Sequence, residues 1–368
     1  MTILSRREVV RLCSPLLVSF FRGGKAAASA TVATLKVTLA KEFVNAGRCR
    51  VSPDGTRLCM EQWKEQGGPW QVVQAGTWQV LYRDTFKQRP LSVGFFGDSQ
   101  ALLLQFVGPK GQRREVVVDI RTGERVERLR PYDSDHPSEQ VPTDDRVLLT
   151  AHFGAETWRF ESLARVQFPG YRELSRTAFL PKAGDSAPCS DLSLSDDRRT
   201  VLYFSDCALT CRRTEDLGVI WAHSIEAGLR AFPLAVSAHG DCAAAVIARG
   251  SSDGKFEHYE RLYTSIFDGR TGAETVRLTA YGKYGIAISP DGKSIAVVAD
   301  EPGDKGAVLP TAHIHDVPSG NRLASVIHDR IPKGRRQALL AGCTVAFTSD
   351  GKYMITSGMT TKVWKLGD

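Results

Sequence analysis

The sequence predicts an all-β chain in which one four-stranded antiparallel unit recurs seven times around a ring. Three observations predict it. A tight Asp-Gly-type turn between apolar runs returns every few tens of residues, a second kind of turn lies between those returns, and a strand-like run near the N terminus matches a strand missing from the last unit. The composition agrees: the 368 residues include 33 Gly and 17 Pro and are 42% hydrophobic, as a turn-rich all-β chain requires.

The first turn is clearest in Ser289-Pro290-Asp291-Gly292, Ser52-Pro53-Asp54-Gly55 and Thr348-Ser349-Asp350-Gly351, each followed by an apolar run. Pro presets φ at the second position, Asp suits the third, and Gly takes the left-handed position that follows. The result is a tight hairpin between antiparallel strands. Weaker copies fill the gaps. With the third turn residue as anchor they fall at Asp54, Asp98, Asp145, Asp197, His239, Asp291 and Asp350, at intervals of 44, 47, 52, 42, 52 and 59 residues. Seven units of that length are the signature of a β-propeller with four strands per blade.

The second turn has the form D-x-x-[ST]-G: Asp119 to Gly123, Asp268 to Gly272, and Asp316 to Gly320. Apolar residues flank each copy, so each unit holds two hairpins. With strands named a to d from the axis outward, the first turn joins a to b and the second joins c to d. An Asp repeated at turn positions caps backbone amides, which reads these carboxylates as structural. The last unit runs to Val363-Trp364-Lys365 without an outer strand. Near the N terminus, Leu35, Val37 and Leu39 alternate with Lys36, Thr38 and Ala40, the period of a half-buried strand. The expectation is a seven-bladed β-propeller closed by that N-terminal strand completing the C-terminal blade, which removes the open sheet edges.

This pattern resembles the WD-repeat and WD-like propeller families, and the Tol-type translocation propellers that use the same S-P-D-G-K hairpin. The resemblance covers residues 32–368 and is carried by the S-P-D-G turns and by Val363-Trp364-Lys365, which stands where the Trp-Asp of a WD repeat would be. It is weakest in the third unit, where residues 131–142 show no innermost strand. The resemblance implies one propeller domain, a monomer, and binding of a protein or peptide partner.

Residues 1–30 read differently. Ser5-Arg6-Arg7-Glu8-Val9-Val10-Arg11 resembles the twin-arginine export motif, residues 12–21 form a short apolar run, and Ala26-Ala27-Ala28-Ser29-Ala30 offers A-x-A cleavage sites. The run is too short to span a membrane. The expectation is an export signal over 1–30, a mature chain without a transmembrane segment, and a periplasmic or secreted location. The formal net charge is +7, and a large part of that excess lies in the leader. A dense basic face of the kind that binds nucleic acid is not expected in the remainder. Of the eight cysteines, Cys49 and Cys59 flank the first hairpin, and Cys207 and Cys211 bracket a loop near Cys189; either pair is a candidate disulfide in an oxidising compartment.

Catalytic and metal signals are thin. His313 and His315 point to one face of a strand, which is half a metal site and reads more simply as cross-strand packing. No G-x-S-x-G, H-E-x-x-H or Walker motif occurs. No cofactor, metal or catalytic residue is therefore expected.

In a four-stranded blade the b–c and d–a loops share one rim. Here they read as long: 87–89, 108–114, 130–142, 169–189, 249–258, 300–310 and 328–340. Function concentrates on such loops. Arg330, Lys333, Arg335 and Arg336 cluster on one of them and Tyr281 and Tyr284 on its neighbour, residue types that suit interface hot spots. Three functions follow: a non-catalytic binding platform, which is the reading adopted; a metal-dependent hydrolase or lactonase-type propeller with a site in the central channel; and a Tol-type translocation adaptor. The second needs acidic or His side chains converging on the axis, and the readable inner strands supply none. The third carries a helical domain ahead of its ring, which this reading does not find.

Overall fold

The middle strands are apolar on both faces, and that decides how the sheets stack. Ala101-Leu102-Leu103-Leu104 and Val116-Val117-Val118 are continuous buried runs, not alternating ones, because each sheet is covered by a neighbour on either side. In the computed structural model, which describes residues 34–44, 46–61, 68–88, 90, 92–107, 113–130, 138–143, 146–153, 160–178, 192–205, 207–252, 257–280, 282, 285–331 and 343–367, the strands of the described residues form seven four-stranded antiparallel sheets. The fold is a seven-bladed β-propeller.

Blade 1 is β2–β5 (Arg48–Val51, Arg57–Glu61, Gly68–Gln74, Val80–Phe86) and blade 2 is β6–β9 (Ser92–Phe95, Ala101–Val107, Arg113–Asp119, Arg125–Arg130). Blade 3 is β10–β13 (Ser138–Pro142, Val147–Phe153, Phe160–Gln167, Arg172–Ala178) and blade 4 is β14–β17 (Leu192–Leu194, Thr200–Ser205, Ala208–Arg213, Val219–Ser224). Blade 5 is β18–β21 (Leu229–Val236, Cys242–Ser252, Glu257–Asp268, Glu274–Leu278) and blade 6 is β22–β25 (Gly285–Ile288, Ser294–Pro302, Val308–Asp316, Arg322–Ile327). Blade 7 holds β26–β28 (Thr344–Phe347, Tyr353–Ser357, Thr361–Leu366), and its outer strand is β1 (Val37–Phe43). β1 runs antiparallel to β28 from Val37 opposite Leu366 to Phe43 opposite Thr361, with a bulge between Leu39 and Lys41.

The core is a ring of apolar layers between adjacent blades. Leu102, Leu104 and Phe106 of β7 meet Cys59, Trp70 and Phe86 of blade 1. Ala101 and Leu103 of the same strand turn the other way, toward Leu148 and Phe168 of blade 3. Cys49, Leu58 and Met60 of blade 1 share a layer with Ile355 and Val363 of blade 7, so the two ends of the chain pack against each other as the other blades do. Burying a full-sized apolar side chain contributes about 1.5–3 kcal/mol.

The two turns differ in chemistry. In the a–b turn of blade 1, Ser52 Oγ donates to Asp54 Oδ1 (2.6 Å), which also accepts from the Thr56 amide (2.9 Å), while the Arg57 amide donates to Ser52 Oγ (2.9 Å). Ser289 with Asp291 and Thr348 with Asp350 repeat this network. In the c–d turns the Asp carboxylate takes the following amides, Asp119 from Arg121 and Thr122 (2.9 Å each), Asp268 from Arg270 and Thr271, and Asp316 from Ser319, and the Thr or Ser hydroxyl accepts one more amide. Hydrogen bonds from the Thr122 and Arg121 amides hold the Asp119 carboxyl below its ordinary range. Gly55, Gly123, Gly272, Gly292, Gly320 and Gly351 all adopt positive φ.

Several expectations are corrected. Residues 169–189 are not one loop, because Arg172–Ala178 forms the outer strand β13. Blade 3 has an innermost strand, Ser138–Pro142, paired with β11. Residues 249–258 and 300–310 are largely strand, since β19, β20, β23 and β24 extend as long hairpins. Leu39 is exposed, so β1 is less buried than its alternation suggests. Cys49 and Cys59 do not face each other: Cys49 is opposite Met60 and Cys59 opposite Arg50, and they pack into different interblade layers as free thiols. Burial pushes the Cys49 thiol up to about 12. Cys207 and Cys211 are not bonded to each other: Cys211 is a free, buried thiol within β16. The leader with Arg6 and Arg7, and also Cys189 and Asp145, lie outside the described residues.

Candidate functional site

The ring presents two rims, and the strands that reach each one place the polar groups. On the long-loop rim, Arg330 is exposed and donates to the Asp304 carbonyl (3.2 Å). Tyr281, Tyr284, Lys333, Arg335 and Arg336 lie outside the described residues. Behind Arg330, His328 is buried and its Nδ1 lies 2.8 Å from Thr356 Oγ1, and that hydroxyl accepts from Trp364 Nε1 (2.8 Å). Asp329 lies 3.2 Å from His328 Nε2 and 3.0 Å from Lys362 Nζ. Burial would raise the Asp329 carboxyl, but the His328 and Lys362 contacts outweigh it and hold it well below the ordinary range. This network joins blades 6 and 7.

Blade 5 supplies what sequence reasoning missed on this rim. β19 and β20 run past the other strands of their sheet, so side chains near the start of β18 and β20 stand at its top. Arg230 lies over the Tyr259 ring (5.7 Å), Tyr259 meets Phe232 edge-on (4.8 Å, 80°), and Arg261 lies over Phe232 (5.2 Å). All four side chains are partly exposed. Gly250 makes room for them: a Cβ there would approach Arg230 Nε to 3.2 Å and Tyr259 to 3.4 Å. One Arg230 Nη atom is buried without a hydrogen-bond partner. Stacked guanidinium and aromatic groups are held in place, so little side-chain entropy is lost when a partner adds to them.

The opposite rim carries the tight turns, and these touch one another around the ring. The Asp54 amide donates to Ser99 Oγ (3.1 Å), the Gly97 amide to the Thr143 carbonyl (3.0 Å), and the Asp197 amide to the Ala238 carbonyl (3.0 Å). Blades 2, 3 and 4 break the turn pattern, blade 2 with Ser99 (φ 57°) at the left-handed position. The left-handed position held by Gly in blades 1, 5, 6 and 7 is Arg146 (φ 61°) and Arg198 (φ 60°). Arg198 Nη2 reaches the Phe95 carbonyl of blade 2 (3.4 Å), past blade 3 and so over the end of the central channel. Asp196 occupies the position that is Pro53, Pro290 or Ala238 elsewhere. Beside these turns, blades 3 to 5 enclose a cleft of about 880 Å³.

Asp196 is half-buried, and burial raises its carboxyl to about 6, partly countered by Arg198 and reinforced by Asp197. A carboxyl raised in the folded state adds stability below its unfolded value of 3.8, and that stability is lost as pH rises through about 6. Asp196→Asn is therefore expected to stabilise the protein at pH 7.5 by up to about 3 kcal/mol and to change little at pH 4. Urea melts of variant and wild type at both pH values check this; an equal difference at both would contradict it. Burial depresses both His313 and His315, which tilts stability the opposite way, but that slope cancels in the difference.

His313 and His315 are each held by protein groups. His313 Nδ1 lies 2.8 Å from Ser325 Oγ and its Nε2 3.1 Å from Glu301, while His315 Nδ1 bonds the Gly320 carbonyl (3.1 Å). Among the described residues no three metal-ligating side chains converge, and no helix is long and apolar enough to cross a membrane.

Comparison with solved structures supports the fold. The chain is similar to Kuenenia stuttgartiensis hydrazine synthase (TM-score 0.55, 14% identity, 92% of this chain and 98% of that one). It is similar to a chain of a mitotic checkpoint complex (TM-score 0.57, 13% identity, 97% and 99%) and to Kluyvelomyces marxianus Hsv2 (TM-score 0.55, 12% identity, 86% and 89%). At these identities the likeness establishes the propeller fold alone. No family model matches the sequence, and no curated protein does.

Proposed function

We propose that this protein is a non-catalytic platform that binds a protein or peptide partner on its long-loop rim. The observation that carries this reading is the Arg230–Tyr259–Phe232–Arg261 stack, a preassembled, partly exposed group of hot-spot residue types on a rigid ring. Propellers hosting unrelated functions share this fold, so the site and not the fold bears the argument. Affinity capture with wild type and R230A/R261A as paired baits tests it. A defined set of proteins should fall at least tenfold with the variant while its melting temperature stays within a few degrees. Equal recovery by both baits contradicts the reading. Export belongs to the same proposal and rests on the motif at residues 5–30: a recovered N terminus near Thr31 supports it and an intact Met1 contradicts it.

A further inference from the structure

The tight-turn cleft between blades 3, 4 and 5 is built from charge. Five arginines line it against three carboxylates. Arg213 is held by Asp216 (2.8 Å) and Arg270 by Asp241 (3.0 Å). Arg165 and Arg199 line the same cleft with no acidic partner among the described residues. Arg165 is opposite Leu149 on β11 and so follows Leu163 on the face of blade 3 turned toward blade 4. Arg199 is exposed beside the blade 4 turn. The two unpaired guanidinium groups therefore come from different blades and open onto one cavity, which Thr200, its hydroxyl buried and unpartnered, also lines.

From this geometry we infer that the cleft is a second binding site, for an acidic extended peptide of a protein partner. Complementarity of charge is the argument: two guanidinium groups without an acidic partner, one half-buried and one exposed, open onto a single cleft and favour carboxylates there. The spacing selects the form of the ligand. Asp197 and Glu215 are interleaved with the arginines, so a compact polyanion filling the cleft would meet them. A peptide can set its carboxylates at Arg165 and Arg199 and pass other side chains over the acids. The site lies on the opposite rim from the Arg230 stack and does not depend on it.

A fluorescein-labelled hexaglutamate peptide is the probe, with hexalysine and inorganic tripolyphosphate as comparisons. Anisotropy at 50 mM salt should show saturable hexaglutamate binding that weakens as salt is raised. R165E/R199E should weaken it at least tenfold with an unchanged thermal melt. K293E, an exposed charge reversal on the same rim in blade 6, should bind as wild type does. Equal affinity in wild type and R165E/R199E, equal loss in K293E, comparable binding of hexalysine, or tripolyphosphate binding without peptide binding would each overturn the proposal. Should R165E/R199E melt early, R199E alone, at an exposed turn position, decides by the same criterion.

Discussion

Deleting residues 34–41 is expected to destabilise the ring by about 5 kcal/mol or more, near the whole stability of an ordinary domain. Six register pairs join β1 to β28. Leu35 and Val37 pack into the layer between blades 6 and 7, and the Leu35 amide donates to the Leu323 carbonyl (3.2 Å) while the Gly367 amide donates to that of Lys36 (2.9 Å). The deletion would also bare the edge of β28 and its neighbouring apolar layer, which invites association. Urea and thermal melts measure the effect. A truncated chain that melts as the full chain does would show that β1 only decorates blade 7.

Gly55→Ala should cost far more than Gly292→Ala, although both glycines hold the same place in the same turn. Their φ values are 67° and 70°, so the left-handed strain of an Ala is alike, about 1 kcal/mol. Their surroundings are not alike. A Cβ on Gly55 falls on the Ser349 backbone nitrogen and side chain, where the turn of blade 7 crosses that of blade 1 and Ser349 Oγ bonds the Asp54 carbonyl. A Cβ on Gly292 meets only Cys242 Cβ at 3.7 Å. Gly55→Ala is expected to lose about 3 kcal/mol or more, since backbone must move, and Gly292→Ala about 1 kcal/mol. Equal losses in chemical denaturation would mean that the seam between blades 7 and 1 is not closely packed.

The parts of the fold that the sequence made legible are those whose side chains perform the local chemistry. Ser52, Asp54 and Gly55 bond one another within five residues, so the hairpin is written where it forms. The inner and outer strands of blade 3 are not written that way. Ser138, Glu139 and Gln140 of β10 and the polar run of β13 have no apolar alternation in the sequence, and pairing to β11 and β12 places these strands. The buried thiols misled for a related reason: Cys49 and Cys59 read as partners across a hairpin until the register put them on opposite faces. The rim stack was illegible because Arg230 and Tyr259 are distant in sequence and meet only through β19. The cleft did leave a trace. Asp196 and Arg198 depart from the turn pattern at two of its fixed positions, and Arg146 repeats the second departure one blade earlier. A turn that replaces Pro and Gly with charge gives up local fit, and such exchanges mark places where something other than folding is served.

The central claim is that residues 34–367 form one closed ring carrying both surfaces, and hydrogen–deuterium exchange of the full-length protein tests it most directly. The backbone amides of Val363, Lys365 and Gly367, on the side of β28 that faces β1, should exchange as slowly as those of the third strands β8 and β24, which lie between two neighbours in their sheets. Exchange of β28 at the rate of the outer strands β5 and β25 would show its edge to be open and would contradict the closed ring.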